Sequence, residues 1–407
     1  MQAKGASMQL VLQKETTFRV TPAVPDVVKM PFIKWGVGRD PRKQDDPSIN
    51  NSPLPGKPGQ GDAVVAGTAS AILDLRSIGY WLCMLLGLPT TNKAVSKQPT
   101  NVTGVTVNYA GSACPAGNGT LTYTFAGKTL AWKAQGDGTA GTPVDVTAGG
   151  YFLLQSGTAS HPLHVTVAAA ALPGVDKADA DIAVSATLKC HVFPIDMNDR
   201  MSAFAELGHT DISKYYRVGG LKLNKLSFDV AALQQNIDLD LLGGAESESS
   251  TVFDATPTAY DSVRACGAGG YIANGVDAAL GALVGGKLSV DNGMSGKELA
   301  DGQEGYGLIS QGEVKIGGSV QAVFDSAGAF ALARADTSTR LRIGSTAVNG
   351  ADTFALYWDI PNVAFADKPM TKEGKSGLFV DVEWTAHRVS SGALPLVTLI
   401  NDVPAYF

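Results

Sequence analysis

Residues 64–87 read VVAGTASAILDLRSIGYWLCMLLG, and the change of period within this stretch decides the fold. Val65, Gly67, Ala69, Ala71, Leu73 and Leu75 alternate with small or polar residues, the period-two pattern of a strand with one face in a core. Ile78, Trp81, Leu82 and Leu85 then fall at i, i+3, i+4 and i+7, which predicts a short amphipathic helix with its stripe in the core and Ser77 as its N-cap. Gly87 and Pro89 close it.

Working outward, the rest of the chain reads as strands. Met8–Leu12 is one. Residues 21–61 carry Pro22, Pro25, Pro31, Pro41, Pro47, Pro53, Pro55 and Pro58, a density that blocks helix interiors and central strands and predicts a long loop. Residues 91–188 change texture, with β-like runs at Val105–Tyr109, Thr120–Phe125, Leu130–Lys133, Tyr151–Leu154, His164–Val167 and Ile182–Leu188 between Gly-rich turns. They read as an inserted, Ig-like or hairpin-built β-domain. The main domain, begun in residues 1–90, resumes over 189–407. Leu221–Val230 alternates with one slip between Leu223 and Leu226, the mark of a bulge. Ile237, Leu239 and Leu241 alternate with Asp238 and Asp240. Residues 243–286 read as a second irregular region. Val314–Phe324, Val380–Trp384 and Leu396–Ile400 close the series of strands.

Composition agrees with a folded, mainly β chain. Of 407 residues, 44% are hydrophobic and 17% charged, with Gly 47 and Pro 20. This is leaner in charge than the roughly 25% of an average soluble chain, and it excludes a disordered polyelectrolyte. The net charge is −6, which disfavours tight gripping of nucleic acid. The charge is uneven: residues 1–60 hold nine basic and five acidic side chains, net +4, which leaves −10 for the remainder. Asp238, Asp240, Glu246, Glu248, Asp254 and Asp261 fall in residues 231–262 with no basic residue among them. Such segregation reads as solvated faces or as complementary surfaces that meet between copies. Cys83, Cys114, Cys190 and Cys266 show no CxxC pairing. No secretory h-region or run of about 18 apolar residues is present, which predicts a soluble chain made in a cytoplasm, with no membrane insertion.

The common catalytic and cofactor motifs fail on inspection. Gly127-Lys128-Thr129 has Thr122, and Gly374-Lys375-Ser376 has Pro369, where a P-loop needs its first glycine. Gly293-Met294-Ser295-Gly296 lacks the residue a nucleophile elbow places between serine and glycine. His161 and His164 flank Pro162 with no acidic third ligand beside them. His191, His209 and His387 stand alone. Asp179 with Asp181, and Asp196 with Asp199, lack the calcium-loop pattern and read as turn or edge residues. No catalytic residue, cofactor or metal site is predicted.

The order of these elements resembles the tail tube (major tail) proteins of long-tailed bacteriophages. The likeness rests on the N-terminal strand, the long Pro/Gly loop 21–61, the strand-to-helix unit Val64–Gly87 and Phe204–Val230 (FAELGHTDISKYYRVGGLKLNKLSFDV), where an aromatic pair and Gly-Gly precede an alternating strand. The closing strand pair that ends Leu399-Ile400-Asn401-Asp402 completes it. It covers residues 5–90 and 190–402. It implies a β-sandwich or barrel with one packed helix, six copies to a ring, and rings stacked head to tail into a channel for double-stranded genomic DNA. Its other implied partners are the tape measure protein and the terminator and tail-tip proteins, and its place is the virion. On this reading residues 91–188 sit on the outer wall, where their bulk favours a non-contractile tail. Asp238 and Asp240 are expected to face the channel. Lys34, Trp35, Arg39, Arg42 and Lys43 of the long loop are expected to contact a neighbouring subunit or ring. The tube of a contractile tail or of a secretion-like injection system, and a β-rich carbohydrate-binding or hydrolytic module, remain as alternatives.

Overall fold

A computed structural model of the chain describes residues 4–46, 53–54, 56–95, 119–123, 128–133, 150–156, 159–165, 174–175, 184–195, 200–230, 234–265, 270–274, 283–300, 304–323, 338–350, 352–366, 379–388 and 394–407. In chain order the strands of the first part are β1 (Met8–Lys14), β2 (Val28–Met30), β3 (Lys34–Trp35), β4 (Gly38–Gln44) and β5 (Gly59–Ile72), followed by helix α1 (Ile78–Leu86) and β6 (Thr90–Val95). Next come β7 (Gly119–Tyr123), β8 (Lys128–Lys133), β9 (Gly150–Ser156), β10 (Ala159–Val165), β11 (Gly174–Val175) and β12 (Val184–Pro194). The second half contributes β13 (Ala203–His209), β14 (Lys214–Val230), β15 (Asn236–Gly243), β16 (Ala245–Ser249), β17 (Gly270–Asn274), β18 (Leu283–Asp291) and β19 (Ser295–Lys297). It ends with β20 (Leu308–Ser310), β21 (Lys315–Val323), β22 (Thr339–Asn349), β23 (Asp352–Phe365), β24 (Phe379–Ala386) and β25 (Leu396–Asn401).

The fold is a β-sandwich with one packed helix, and its two sheets share β14. The first half of β14 pairs with β13 and β16, and β13 leads on to β1 and β2. Its second half pairs with β15 and β18, from which the other sheet runs through β5 to β3 and β4 on one side and through β21, β24 and β23 on the other. A strand that changes sheets must turn a corner. Here the corner is Gly219-Gly220, and Gly220 takes a φ of +68°. A Cβ at Gly220 would lie 2.8 Å from the Phe18 ring, so this position needs glycine for both its backbone and its room. No closed barrel is found among the described strands, so the sandwich half of the expected sandwich-or-barrel describes the single chain.

The predicted bulge is present: Leu223 faces Leu241 but Lys225 faces Asp240, which leaves Asn224 as the extra residue. Two stretches are more ordered than their composition suggests. Within residues 21–61 the chain makes β2, β3 and β4, and β4 pairs antiparallel with β5 from Gly38–Ala66 to Gln44–Gly59. Pro41 is tolerated because β4 lies at an edge, and the pairing slips between Pro41 and Lys43. Residues 243–286 contain β16, β17 and the start of β18. The predicted strand Val105–Tyr109, the pairs Asp179/Asp181 and Asp196/Asp199, and the side chains of His161 and His164 lie outside the described residues. Of residues 91–188, β7, β8 and β11 form a small separate sheet, and β9 joins the main sheet by pairing parallel with β6.

The helix departs from its prediction in two ways. It is not amphipathic: all nine residues are buried. It packs on β12 and β14, and the C-terminal tail covers it. The Tyr406 ring lies against Gly79, where a Cβ would come within 2.1 Å of Tyr406 Cζ, and Phe407 meets Tyr80 edge-on at 5.0 Å. Ser77 occupies the N-cap but makes no capping bond through its side chain. The carboxylate of Asp74 takes that role, accepting from the backbone N–H of Ser77 at 3.0 Å and of Val263 at 2.7 Å. At the other end the carbonyls of Leu86 and Leu85 accept from Arg200 Nη1 at 2.8 Å and Asn292 Nδ2 at 2.9 Å. A buried helix must satisfy its terminal backbone groups from outside itself, and here the donors and acceptors come from far along the chain.

His191, which stands alone in the sequence, belongs to this core. Its Nδ1 bonds Thr91 Oγ1 at 2.9 Å, and its Nε2 bonds the Val403 carbonyl at 3.0 Å and Asn401 Oδ1 at 3.2 Å. Two oxygen acceptors at Nε2 place the proton there, leaving Nδ1 to accept from the threonine hydroxyl. Burial lowers the His191 pKa to about 4. The unfolded chain therefore binds a proton near the ordinary pKa of about 6.5, where the folded chain does not. The stabilisation is complete above pH 6.5 and is lost as the pH falls towards 4, by about 3 kcal/mol in all. Glu15 acts in the opposite sense, because burial raises its carboxyl. Urea midpoints of the wild-type chain and His191→Gln, measured from pH 7.5 to 4.5, should converge on acidification, since only the wild type carries the histidine penalty. Parallel curves would show that His191 is not the group responsible.

Candidate functional site: a polar sheet face and a braced arm

The alternation of β15 sorts its side chains cleanly. Ile237, Leu239 and Leu241 are buried, Asp238 is exposed and Asp240 is half-buried. Asp238 accepts from Ser70 Oγ at 2.8 Å, and Asp240 from Nδ2 of the bulge residue Asn224 at 3.0 Å. Antiparallel register carries this face across neighbouring strands, because residues directly opposite share a side. One row runs Lys34, Ser70, Asp238, Ser227, Ser289, Gly317 and Thr385. The next runs Thr68, Asp240, Lys225, Asp291 and Lys315, and a third runs Asp229, Lys287, Ser319 and Glu383. Asp381 follows on β24 opposite Gln321.

No large apolar residue interrupts these rows. Six carboxylates (Asp229, Asp238, Asp240, Asp291, Asp381, Glu383) stand against four lysines (Lys34, Lys225, Lys287, Lys315). The lysines of the central strands are hemmed in. Lys225 has Asp240 on one side and Asp291 on the other, Lys315 faces Asp291, and Lys287 faces Asp229. The face is thus charged, hydrated and net acidic, with its central cations compensated by adjacent anions.

The basic residues of the N-terminal stretch divide between two settings. Lys34 and Trp35 lie on β3 at the margin of this face, where Lys34 is exposed and Trp35 is half-buried against the core. Arg39, Arg42 and Lys43 lie on β4, all exposed. Arg39 grips Glu304 with two bonds, Nε to Oε2 at 2.6 Å and Nη2 to Oε1 at 2.7 Å, while its backbone N–H donates to Glu246. Arg42 Nη1 reaches Glu298 Oε1 at 2.9 Å. Both glutamates lie between β19 and β20, more than 250 positions along the chain from their partners. No spacing rule links residues so distant, which is why the sequence reading found the cations and missed their acceptors. A cleft of about 240 Å³ opens at this junction, lined by Arg19, Arg39, Val65, Glu246 and Glu304 among others.

Among the described residues no group of three or more His, Cys, Asp or Glu side chains is arranged to hold a metal ion. No described helix is long and apolar enough to cross a membrane. No curated protein matches the chain. The model of one family, described as phage tail tube protein, matches residues 5–386 and so runs through residues 91–188 as well as both flanking parts. With nearly the whole chain matched, on a β-sandwich with a single packed helix, the chain belongs to the phage tail tube protein family, structural proteins of the virion tail.

Proposed function

We propose that copies of this chain assemble into hexameric rings that stack head to tail, forming the tube of a non-contractile tail through which double-stranded genomic DNA is delivered. The polar face around Asp238 and Asp240 carries this reading. DNA presents one negative charge per about 1.7 Å of helix axis, and a wall that offered free cations would hold it rather than let it pass. A face whose central lysines sit opposite aspartates, with carboxylates in excess, gives the duplex no such hold. The open edges of the chain support assembly. β4 and β16 each have one neighbour among the described strands, and a ring of subunits can pair or cover such edges. Stacking without end follows from a head-to-tail contact that does not close on itself.

On this reading Asp238 and Asp240 line the bore, and the arm that carries Lys34, Trp35, Arg39, Arg42 and Lys43 reaches the neighbouring subunit or ring. Residues 91–188 stand on the outer wall. The tape measure protein occupies the bore before ejection, and the terminator and tail-tip proteins close the two ends. Electron microscopy of the purified chain at rising concentration tests the proposal. Hollow tubes of uniform width are expected, with the β15 face inward. A chain that stays monomeric both at high concentration and in tails would overturn the reading, and carboxylates on the outer wall would overturn the assignment of the face.

A further inference from the structure

The junction between β4 and the β19–β20 connection gathers several unusual features in one place. Glu304 is held by Arg39 through two bonds, and its own carbonyl accepts from Arg19 Nη2 at 2.9 Å. Arg19 has a φ of +64°, uncommon for a residue with a side chain, and Gly305 has a φ of +88°. Gly305 presses so closely on the turn after β15 that a Cβ there would lie 2.0 Å from the Gly244 carbonyl oxygen. Arg42 pairs with Glu298 at the other end of the same connection. Strained backbone persists where its surroundings over-determine it, and such positions cluster where a geometry is being held for use.

Global stability gives little reason for this arrangement. The pairs are open to water, with side-chain exposures of 34% and 54% for Arg39 and Glu304 and 53% and 30% for Arg42 and Glu298. Exposed pairs of this kind contribute little to folding. What they can fix is direction. β4 is an edge strand interrupted at Pro41, attached by backbone pairing to β5 alone, and on its own it would be a poor lever. With Arg39 held by Glu304 and Arg42 by Glu298, β4 has a set orientation before it meets a neighbour.

We infer that Glu298 and Glu304 are positioning residues that brace the basic arm of their own chain, so that the free subunit already presents the arm in its assembly geometry to a second copy. The inference rests on the tube reading and adds that the arm's two arginines, Arg39 and Arg42, are paired within the chain rather than spent on the neighbour. Orientation set in advance lowers the ordering cost of association, so its loss appears in the concentration needed to polymerise.

The test uses the full chain. Glu298→Gln combined with Glu304→Gln should raise the critical concentration for tube formation about tenfold while leaving the urea midpoint unchanged. Arg42→Glu and Glu298→Arg should each be defective, and both together in one chain should restore assembly. An equimolar mixture of the two single variants should stay defective, because no molecule in it has a matched brace. Wild-type polymerisation of the glutamine variant would overturn the brace, as would a loss of assembly matched by an equal loss of stability. Rescue by the mixture would also overturn it, since it would place the pairing between subunits. Failure of the wild-type chain to form tubes in the same experiment would instead remove the tube reading itself.

Discussion

Asp74→Ala is expected to cost about 3–5 kcal/mol, a large part of the 5–15 kcal/mol by which ordinary domains are stable. Asp74 is only 2% exposed and accepts from the backbone of Val263 at 2.7 Å, Ser77 at 3.0 Å and Arg76 at 3.4 Å. Removing the carboxylate leaves buried N–H groups without a partner, each worth about 1–3 kcal/mol, and deletes the helix cap. The damage spreads because this corner joins distant segments. Val263 and Ala265 exchange backbone bonds with Leu75 and Leu73. Arg76 pairs with Asp402 through bonds of 2.7 and 2.6 Å, and Tyr406 Oη donates to the Arg76 carbonyl at 2.7 Å. Urea denaturation of Asp74→Ala and Ser77→Ala gives the comparison. Ser77 holds the position that sequence rules favour for capping, yet its hydroxyl makes no capping bond, so its loss should cost less than about 1 kcal/mol. Equal losses for the two variants would contradict the assignment of the cap to Asp74.

That contrast shows where the sequence stops being legible. The strand, the helix and its glycine stop follow from local periodicity, and the bulge at Asn224 follows from a single slip in an alternating pattern. The β15 carboxylates could be put on one side of a strand for the same reason. The full burial of α1 could not be read, because the tail that covers it comes from residues 401–407 and local spacing carries no record of that contact. The arm was hidden by its own prolines. They forbid a central strand but not an edge strand, and only the pairing with β5 shows which applies. The acceptors Glu298 and Glu304 were hidden by distance along the chain. Pairing of the polar face across seven strands is likewise a product of register, which composition does not contain.

Reversing two charges on that face should turn a passive wall into a binding one. Asp238→Lys with Asp240→Lys changes six carboxylates and four lysines per subunit into four and six, moving the face from net −2 to net +2. It also uncages Lys225, which loses the carboxylate opposite it on β15. In a stacked tube the change repeats at every subunit along the bore, so a duplex inside meets cations over its whole length. Tubes should still form, since Asp238 is exposed and Asp240 half-buried on the polar side of the sheet. DNA ejection from virions built with the variant should slow by about tenfold or more at low salt. Because retention then depends on counterion release, raising salt from about 50 to 200 mM should weaken it by about 10³-fold or more and restore ejection. The neutral pair Asp238→Asn with Asp240→Asn brings the face to net zero and should fall between the two. This ordering, and its collapse at high salt, separates an electrostatic wall from a merely altered bore shape, which salt would not repair. Ejection that is unchanged by the lysine pair in intact tubes would mean that this face does not meet the DNA.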